Sequence, residues 1–281
     1  MPTEKPYANL LEASFPGIKS TIARCEALGF SWEELCGRVF VKETGGEVVS
    51  HVAALSCRVL LDKRWHKMVS LHAVCTKKDH RGQGLASDLL LEVLQWAKHN
   101  SDFQILFTEI PAFYERLGFA SIKEQRFGLK QSFRQGTKLF SALSTPKDDD
   151  LFLRCFRERA PLSQRCWIED RGEIASFTTL FGTYPSYWSL YYCPEFDGFL
   201  SWFFEDKTLH LLDIVATKLP SLEQILEYLP QEINQIYFYF PTDSLDVKTT
   251  PEPHLYDKGQ LMVHGSFPLK EPFMIAPLSR C

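Results

Sequence analysis

What the 281-residue chain lacks narrows its class before any motif is read. It has eight cysteines, Cys25, Cys36, Cys57, Cys75, Cys155, Cys166, Cys193 and Cys281, but no C-x-x-C pair. That spacing excludes a zinc ribbon and a compact disulfide scaffold, and in a chain this long it reads as reduced thiols of the cytoplasm. No run of eighteen uncharged apolar residues occurs, which excludes a membrane-spanning helix. The opening Met1-Pro-Thr-Glu-Lys-Pro has no apolar signal core, so the expected setting is cytoplasmic. Neither G-x-x-x-x-G-K-[ST] nor the full G-x-G-x-x-G is present, because Ser87 takes the third glycine position of the latter. His51, His66 and His80 have no metal-ligand spacing, so no metal is expected.

What is present describes a globular protein. Apolar residues make up 45%, aromatics 14% and charged residues 23%, a balance unlike that of disordered or fibrous chains. The length favours two domains, with one large domain as the alternative. Net charge is −4, but residues 1–140 carry 19 Lys and Arg against 15 Asp and Glu, while residues 141–281 carry 12 against 20. A mildly basic half suits a phosphate-bearing small molecule and falls well short of what duplex nucleic acid requires.

Periodicity assigns the elements. Helices are expected over Tyr7–Ala13 and Ile18–Leu28. Arg38–Thr44 alternates as a strand and leads through Gly45-Gly46 into a hairpin partner, Glu47–Leu61. After a charged turn, Asp62–Lys67, a strand runs over Lys67–Thr76. Leu85, Leu89, Leu90, Val93, Leu94 and Ala97 form one apolar stripe, which predicts a helix over Leu85–Asn100. Phe103–Ile110 reads as a buried strand, Pro111 opens a short helix ending at Gly118, and Phe119 to about Leu129 reads as a strand. The polar stretch Ser141–Asp150 is the expected boundary. Beyond it the pattern predicts a helix over Asp150–Arg159, a hairpin over Arg165–Leu180, and strands over Tyr187–Tyr192, Gly198–Glu205 and Thr208–Thr217. A helix over Ser221–Tyr228, a strand over Ile233–Phe240 and a final strand from Leu261 complete the reading. The aromatic string from Phe181 to Phe204 reads chiefly as core.

The halves repeat one another. Val74-Cys-Thr-Lys77 and Val215-Ala-Thr-Lys218 each end a strand that is followed by a helix and another strand. Thr76 to Gln104 spans 28 positions and Thr217 to Gln235 spans 18, a difference expected to fall at the glycine loop of the first copy.

That loop, Lys77-Lys-Asp-His-Arg-Gly-Gln-Gly-Leu-Ala-Ser87, lies between a strand and the strongest helix. Gly82 and Gly84 allow close backbone approach and left-handed turns. The free N–H groups of the first helical turn, backed by the positive end of the helix dipole, then form an anion site suited to a pyrophosphate. Lys77, Lys78, His80 and Arg81 add charge and donors.

The run of strand, R-G-Q-G-L-A, amphipathic helix, strand and Pro111-Ala-Phe-Tyr-Glu-Arg-Leu-Gly-Phe119 resembles the GNAT superfamily of acetyl-CoA-dependent N-acetyltransferases. Gly82 and Gly84 match the glycine positions of its [QR]-x-x-G-x-[GA] loop, with Asp79 departing at the Gln/Arg position. Phe113, Tyr114, Gly118 and Phe119 match the F-Y-x-x-x-G-F element, and the motifs together span about residues 70–125. The resemblance implies an α/β (α+β) protein of two GNAT-like domains, each a mixed, mostly antiparallel twisted sheet flanked by helices. Residues 1–140 would form the catalytic domain, and 141–281 a degenerate copy lacking the pyrophosphate loop. It further implies that the backbone of Val74, Cys75 and Thr76 holds the pantetheine arm and faces the acetyl carbonyl. Arg81, Gly82, Gln83, Gly84, Leu85, Ala86 and Ser87 would bind the pyrophosphate, and Tyr114 would protonate the departing thiolate. Acetyl-CoA is then a cosubstrate, and the amine attacks its thioester directly.

Glu109 is the first candidate for general base, with Glu43 and the carboxylate of Cys281 as others; each strand carboxylate also reads as a plain solvated side chain. Cys75 reads better as a small packing residue than as a nucleophile, and His72 better as a satisfied strand histidine than as a base. The expected acceptor is a primary amine, of a small molecule in the leading reading and of a protein or peptide in the second. A non-catalytic acyl-CoA-binding regulatory module is the rival outside the enzyme class. Neither nucleic acid nor membrane is an expected partner, and the assembly implied is a monomer or homodimer.

Overall fold

The computed structural model describes residues 5–143, 147–181 and 189–280. Three short helices open the chain: α1 (Ala8–Ser14), α2 (Ile18–Ala27) and α3 (Trp32–Cys36). They are followed by β1 (Arg38–Thr44), β2 (Glu47–Leu61), β3 (Arg64–Thr76), α4 (Leu85–Ala97), β4 (Phe103–Thr108), α5 (Pro111–Glu115), β5 (Ala120–Ser121) and β6 (Gln125–Phe133). The middle of the chain contributes β7 (Ser141–Ala142), α6 (Asp149–Glu158), β8 (Cys166–Ile168), α7 (Glu173–Phe181), β9 (Leu190–Cys193) and β10 (Gly198–Glu205). β11 (Thr208–Val215), α8 (Leu222–Leu226), β12 (Ile233–Phe238), β13 (Thr250–Pro253) and β14 (Gln260–Gly265) complete it.

These strands build two mixed, mostly antiparallel sheets flanked by helices. The first has the order β1-β2-β3-β4-β14-β5 with β8 added to β2, and the second β13-β6-β12-β11-β10-β9-β7. Each sheet contains the same core. β2 runs antiparallel to β3, β3 parallel to β4, and α4 makes the crossover. β10 runs antiparallel to β11, β11 parallel to β12, and α8 makes the crossover. The shortening of the second copy lies mainly in that crossover helix, which falls from 13 residues in α4 to 5 in α8. This corrects the expectation that the glycine loop accounts for it.

Sheet membership also departs from a cut at residue 140. β6 pairs with β12 of the second sheet, whereas β14 pairs with β4 of the first. Each half thus hands its partner the strand that lies antiparallel beside the parallel pair, covering backbone groups that would otherwise form an edge.

Helix α4 buries Leu89, Leu90, Val93, Leu94 and Ala97 against Val52, Ala54, Val69, Leu71 and Leu106 on one face of the first sheet. The opposite face, with Leu55, Met68, Phe103 and Ile105, is covered by Ile168, Ile174, Phe273 and Ile275 from the second half. The hairpin expected over Arg165–Leu180 is instead the strand β8 followed by helix α7. The buried carboxylate of Asp170 makes the difference. It accepts the backbone N–H groups of Gly172, Ile174 and Ala175, satisfying donors at the start of α7. The strand expected from Phe119 to Leu129 is split into β5 and β6, where the chain passes from one sheet to the other. In the aromatic string, Phe199 and Trp202 are core residues; its segment 182–188 lies outside the described residues.

In the second sheet Arg159 and Asp213 form an ion pair with both side chains almost wholly buried. Arg159 also donates to the carbonyl of Ile214, near the end of β11. Asp213→Ala would leave the guanidinium buried without its counter-charge. The expected cost is about 3–5 kcal/mol, read as a loss of thermal or denaturant stability.

Candidate active site

β3 and β4 are paired only from Met68–Phe103 to Ser70–Ile105. Beyond that they diverge, and residues Leu106 to Thr108 of β4 pair with β14 instead. Within the diverging part β3 bulges, because Ala73 and Val74 together oppose Val52. Ala73 takes a φ of +50°, costly for a residue with a Cβ. Its carbonyl lies 2.8 Å from Nδ1 of the buried His51, which therefore carries the donating proton. His51 is a residue that sequence reasoning passed over, since nothing local in the sequence shows that it faces a bulge 22 positions away.

A cleft of about 530 Å³ follows the bulge. Its walls include Val74, Cys75 and Thr76 of β3, Arg81, Gly82 and Gly84 of the loop, and Leu85, Ala86 and Ser87 of α4. Ser14 and Phe15 close one side, and Ile110, Phe113 and Tyr114 another. The structure thus gathers most of the residues expected at the coenzyme site. Gln83 lies within the same loop without lining the cleft, and Glu109 is exposed and lies outside the lining. Glu43 is exposed on β1, and Cys281 lies outside the described residues.

Gly82 and Gly84 have φ values of +78° and +82°, and no heavy atom lies within 4 Å of where a Cβ would stand on either. The loop therefore needs glycine for its backbone path and leaves open space above it. Gly84 is the N-cap of α4 and supplies no side-chain acceptor to the first turn. The amide groups there remain available to an anion. α8 differs: Ser221 and Gln224 form a capping box, so the N–H of Gln224 in its first turn and that of Ser221 are already taken. Arg81 Nε donates to the carbonyl of Thr76 at 3.1 Å, tying the loop to the end of β3.

Tyr114 is held by Phe113 and Phe119, with ring centroids 4.9 and 6.0 Å away. Burial pushes its phenol up to about 12, so it stays protonated over the ordinary pH range. Cys75 is also buried, and its thiol is pushed up to about 11, which suits a packing residue rather than a thiolate nucleophile.

A second cavity, of about 290 Å³, opens before the bulge. Leu71 and His72 of β3 and Phe107 of β4 form its inner wall; α7, Tyr256, Asp257 and Arg280 form the outer one. His72 Nε2 lies 3.2 Å from the carbonyl of Cys36, as a satisfied strand histidine should, leaving Nδ1 as the acceptor. Burial pulls its pKa down to about 4, so the ring is neutral and too weakly basic to hold the proton of an alkylammonium. Among the described residues no group of three or more His, Cys, Asp or Glu could hold a metal ion, and no helix is long and apolar enough to cross a membrane.

The fold and cleft define an α/β protein with a backbone anion site at the mouth of two splayed parallel strands. Residues 4–122 match the model of the acetyltransferase (GNAT) domain. A GCN5-related N-acetyltransferase from Kribbella flavida is 17% identical with a TM-score of 0.52, over 92% of this chain and 68% of that one. A GCN5-related N-acetyltransferase from Anabaena variabilis is 14% identical with a TM-score of 0.54, over 91% and 68%. A probable N-acyltransferase from Enterococcus faecalis is 12% identical with a TM-score of 0.55, over 88% and 70%. These likenesses extend the fold across both halves. Comparison with curated proteins gives no match.

Proposed function

We propose that the protein is an acetyl-CoA-dependent N-acetyltransferase acting on a small primary amine. The observation that carries this reading is the pair of cavities on either side of the Ala73 bulge, one with the anion loop and Tyr114, the other walled by the second half. The free N–H groups of the loop and of α4 hold the pyrophosphate, and Val74 to Thr76 flank the pantetheine arm. The amine nitrogen, entering from the second cavity, attacks the acetyl carbon; the carbon–sulfur bond breaks, and Tyr114 gives its proton to the departing sulfur. The amine proton leaves to water, and solvent restores the phenol. Glu109, exposed and outside both linings, has no part in this scheme as general base.

In the same reading residues 1–140 supply the catalytic domain and 141–281 the degenerate partner, apart from the exchanged strands. The second copy takes no coenzyme, since it lacks the glycine loop, a capping box already occupies donors at the start of α8, and Arg159 ties up the end of β11. Peptide acetylation and coenzyme binding without catalysis are the alternatives. Thiol release from acetyl-CoA, measured across small amines and lysine peptides, separates the three. Turnover confined to small amines is expected; turnover on peptides alone, or tight coenzyme binding without turnover on anything, overturns the proposal.

A further inference from the structure

The second cavity specifies its occupant more narrowly, on the reading that it receives the acceptor. Its charge is the first constraint. Arg280 and Asp257 are the charged residues of the lining, and Arg280 is already committed. Its Nη1 reaches Glu124 Oε1 and the carbonyl of Ile275, and its Nη2 reaches Glu124 Oε2 and the carbonyl of Gly259. Those four contacts use the four N–H bonds of the two Nη atoms, and Glu124 cancels the charge. Its guanidinium also lies 4.0 Å from the ring centre of Phe107 and 5.3 Å from that of Tyr256. These two rings therefore already have their cation.

Asp257 is exposed, at the rim. It sits in a tight turn, with φ of +48° followed by +58° at Lys258, just before β14. Because Gln260 of β14 pairs with Thr108, this turn lies at the end of β4. The rest of the wall is chiefly apolar, with Leu35, Leu55, Leu71, Ile174, Pro277 and the stacked pair Phe177 and Phe181, whose ring centres are 5.3 Å apart; His72, Thr178 and Tyr256 add its few polar atoms. At water's share of about 30 Å³ per molecule, the volume holds about ten non-hydrogen atoms.

We infer that the acceptor is a small monocationic amine with an apolar, ring-sized body and no carboxylate. The body lodges against Phe177 and Phe181, and the ammonium is drawn to Asp257 before it loses its proton. An amino acid of the same size is disfavoured, because its carboxylate finds the Nη donors of Arg280 taken and no second cation in the lining. A polyhydroxylated amino sugar is disfavoured, because a wall with few polar groups leaves most of its hydroxyls without partners.

The test compares 2-phenylethylamine, phenylalanine, glucosamine and a lysine peptide as acceptors by thiol release. The expected kcat/KM for phenylethylamine is at least about tenfold above each of the others. Asp257→Asn, an exposed site that leaves the fold intact, is expected to raise the KM of phenylethylamine about fivefold while leaving the KM of acetyl-CoA unchanged. Calorimetry of phenylethylamine binding, weakened in Asp257→Asn, tests the pocket independently of turnover. Preference for phenylalanine, the sugar or the peptide overturns the inference and leaves acetyl transfer standing. Amine binding without turnover of acetyl-CoA on any acceptor overturns the transferase reading and leaves the pocket assignment standing. No amine binding and no effect of Asp257→Asn overturn the inference outright.

Discussion

Gly84→Val is expected to abolish measurable acetyl-CoA binding while the protein remains folded. The position has a φ of +82°, which a β-branched residue adopts only under strain. The space above it is open, so no packed neighbour of the fold is displaced by the new side chain. The added atoms enter the space over the first turn of α4, the proposed seat of the pyrophosphate. Losing two charge-assisted hydrogen bonds of about 1.5–3 kcal/mol each corresponds to at least about a hundredfold loss of affinity. Calorimetry with coenzyme A reads the loss, and circular dichroism reads the retained fold. Gly82→Val, with a φ of +78° and the same open surroundings, is expected to behave alike. Full affinity in either variant would remove the pyrophosphate from this loop.

Tyr114→Phe is expected to lower kcat by about a hundredfold or more, the usual contribution of a positioned general acid, with coenzyme affinity unchanged within about twofold. The ring stays wedged between Phe113 and Phe119, so the substitution removes the proton donor and little packing. The pH profile adds a second readout. With its phenol pushed up to about 12, Tyr114 keeps its proton throughout the range in which an alkylamine titrates. The rate should therefore rise with pH as the amine loses its proton, with no fall from tyrosinate formation until near pH 12. A descending limb near neutrality, or a Phe variant of full activity, would place the acid elsewhere.

The two predictions rest on residues that were legible in sequence to different degrees. The glycine loop was readable because a left-handed turn before an amphipathic helix is a local demand, met within a few residues. The spacing from that loop to Phe113 and Tyr114 is set by one helix and one strand, and it is readable for the same reason. Glu109 stands exposed outside the cleft lining, and a strand-end position in sequence does not say which way its side chain faces. α7 was missed because its cap, Asp170, satisfies three backbone donors in a segment whose composition favours strands. His51 supports the bulge across a strand pair, and no local pattern marks it.

The sequence by itself determined the first cleft: the glycine loop, the helix behind it, the Phe113-Tyr114 pair and the repeated strand–helix–strand core. Those features follow from backbone conformation and short-range periodicity, which each segment carries within itself. The tertiary structure decided the second cavity. Leu71, His72 and Phe107 meet Phe177, Asp257 and Arg280 only because the second half covers the open face of the first sheet and returns β14 to it. Contacts made across more than a hundred residues depend on how the two sheets exchange strands and bury their apolar faces together, and that arrangement exists only in the folded chain.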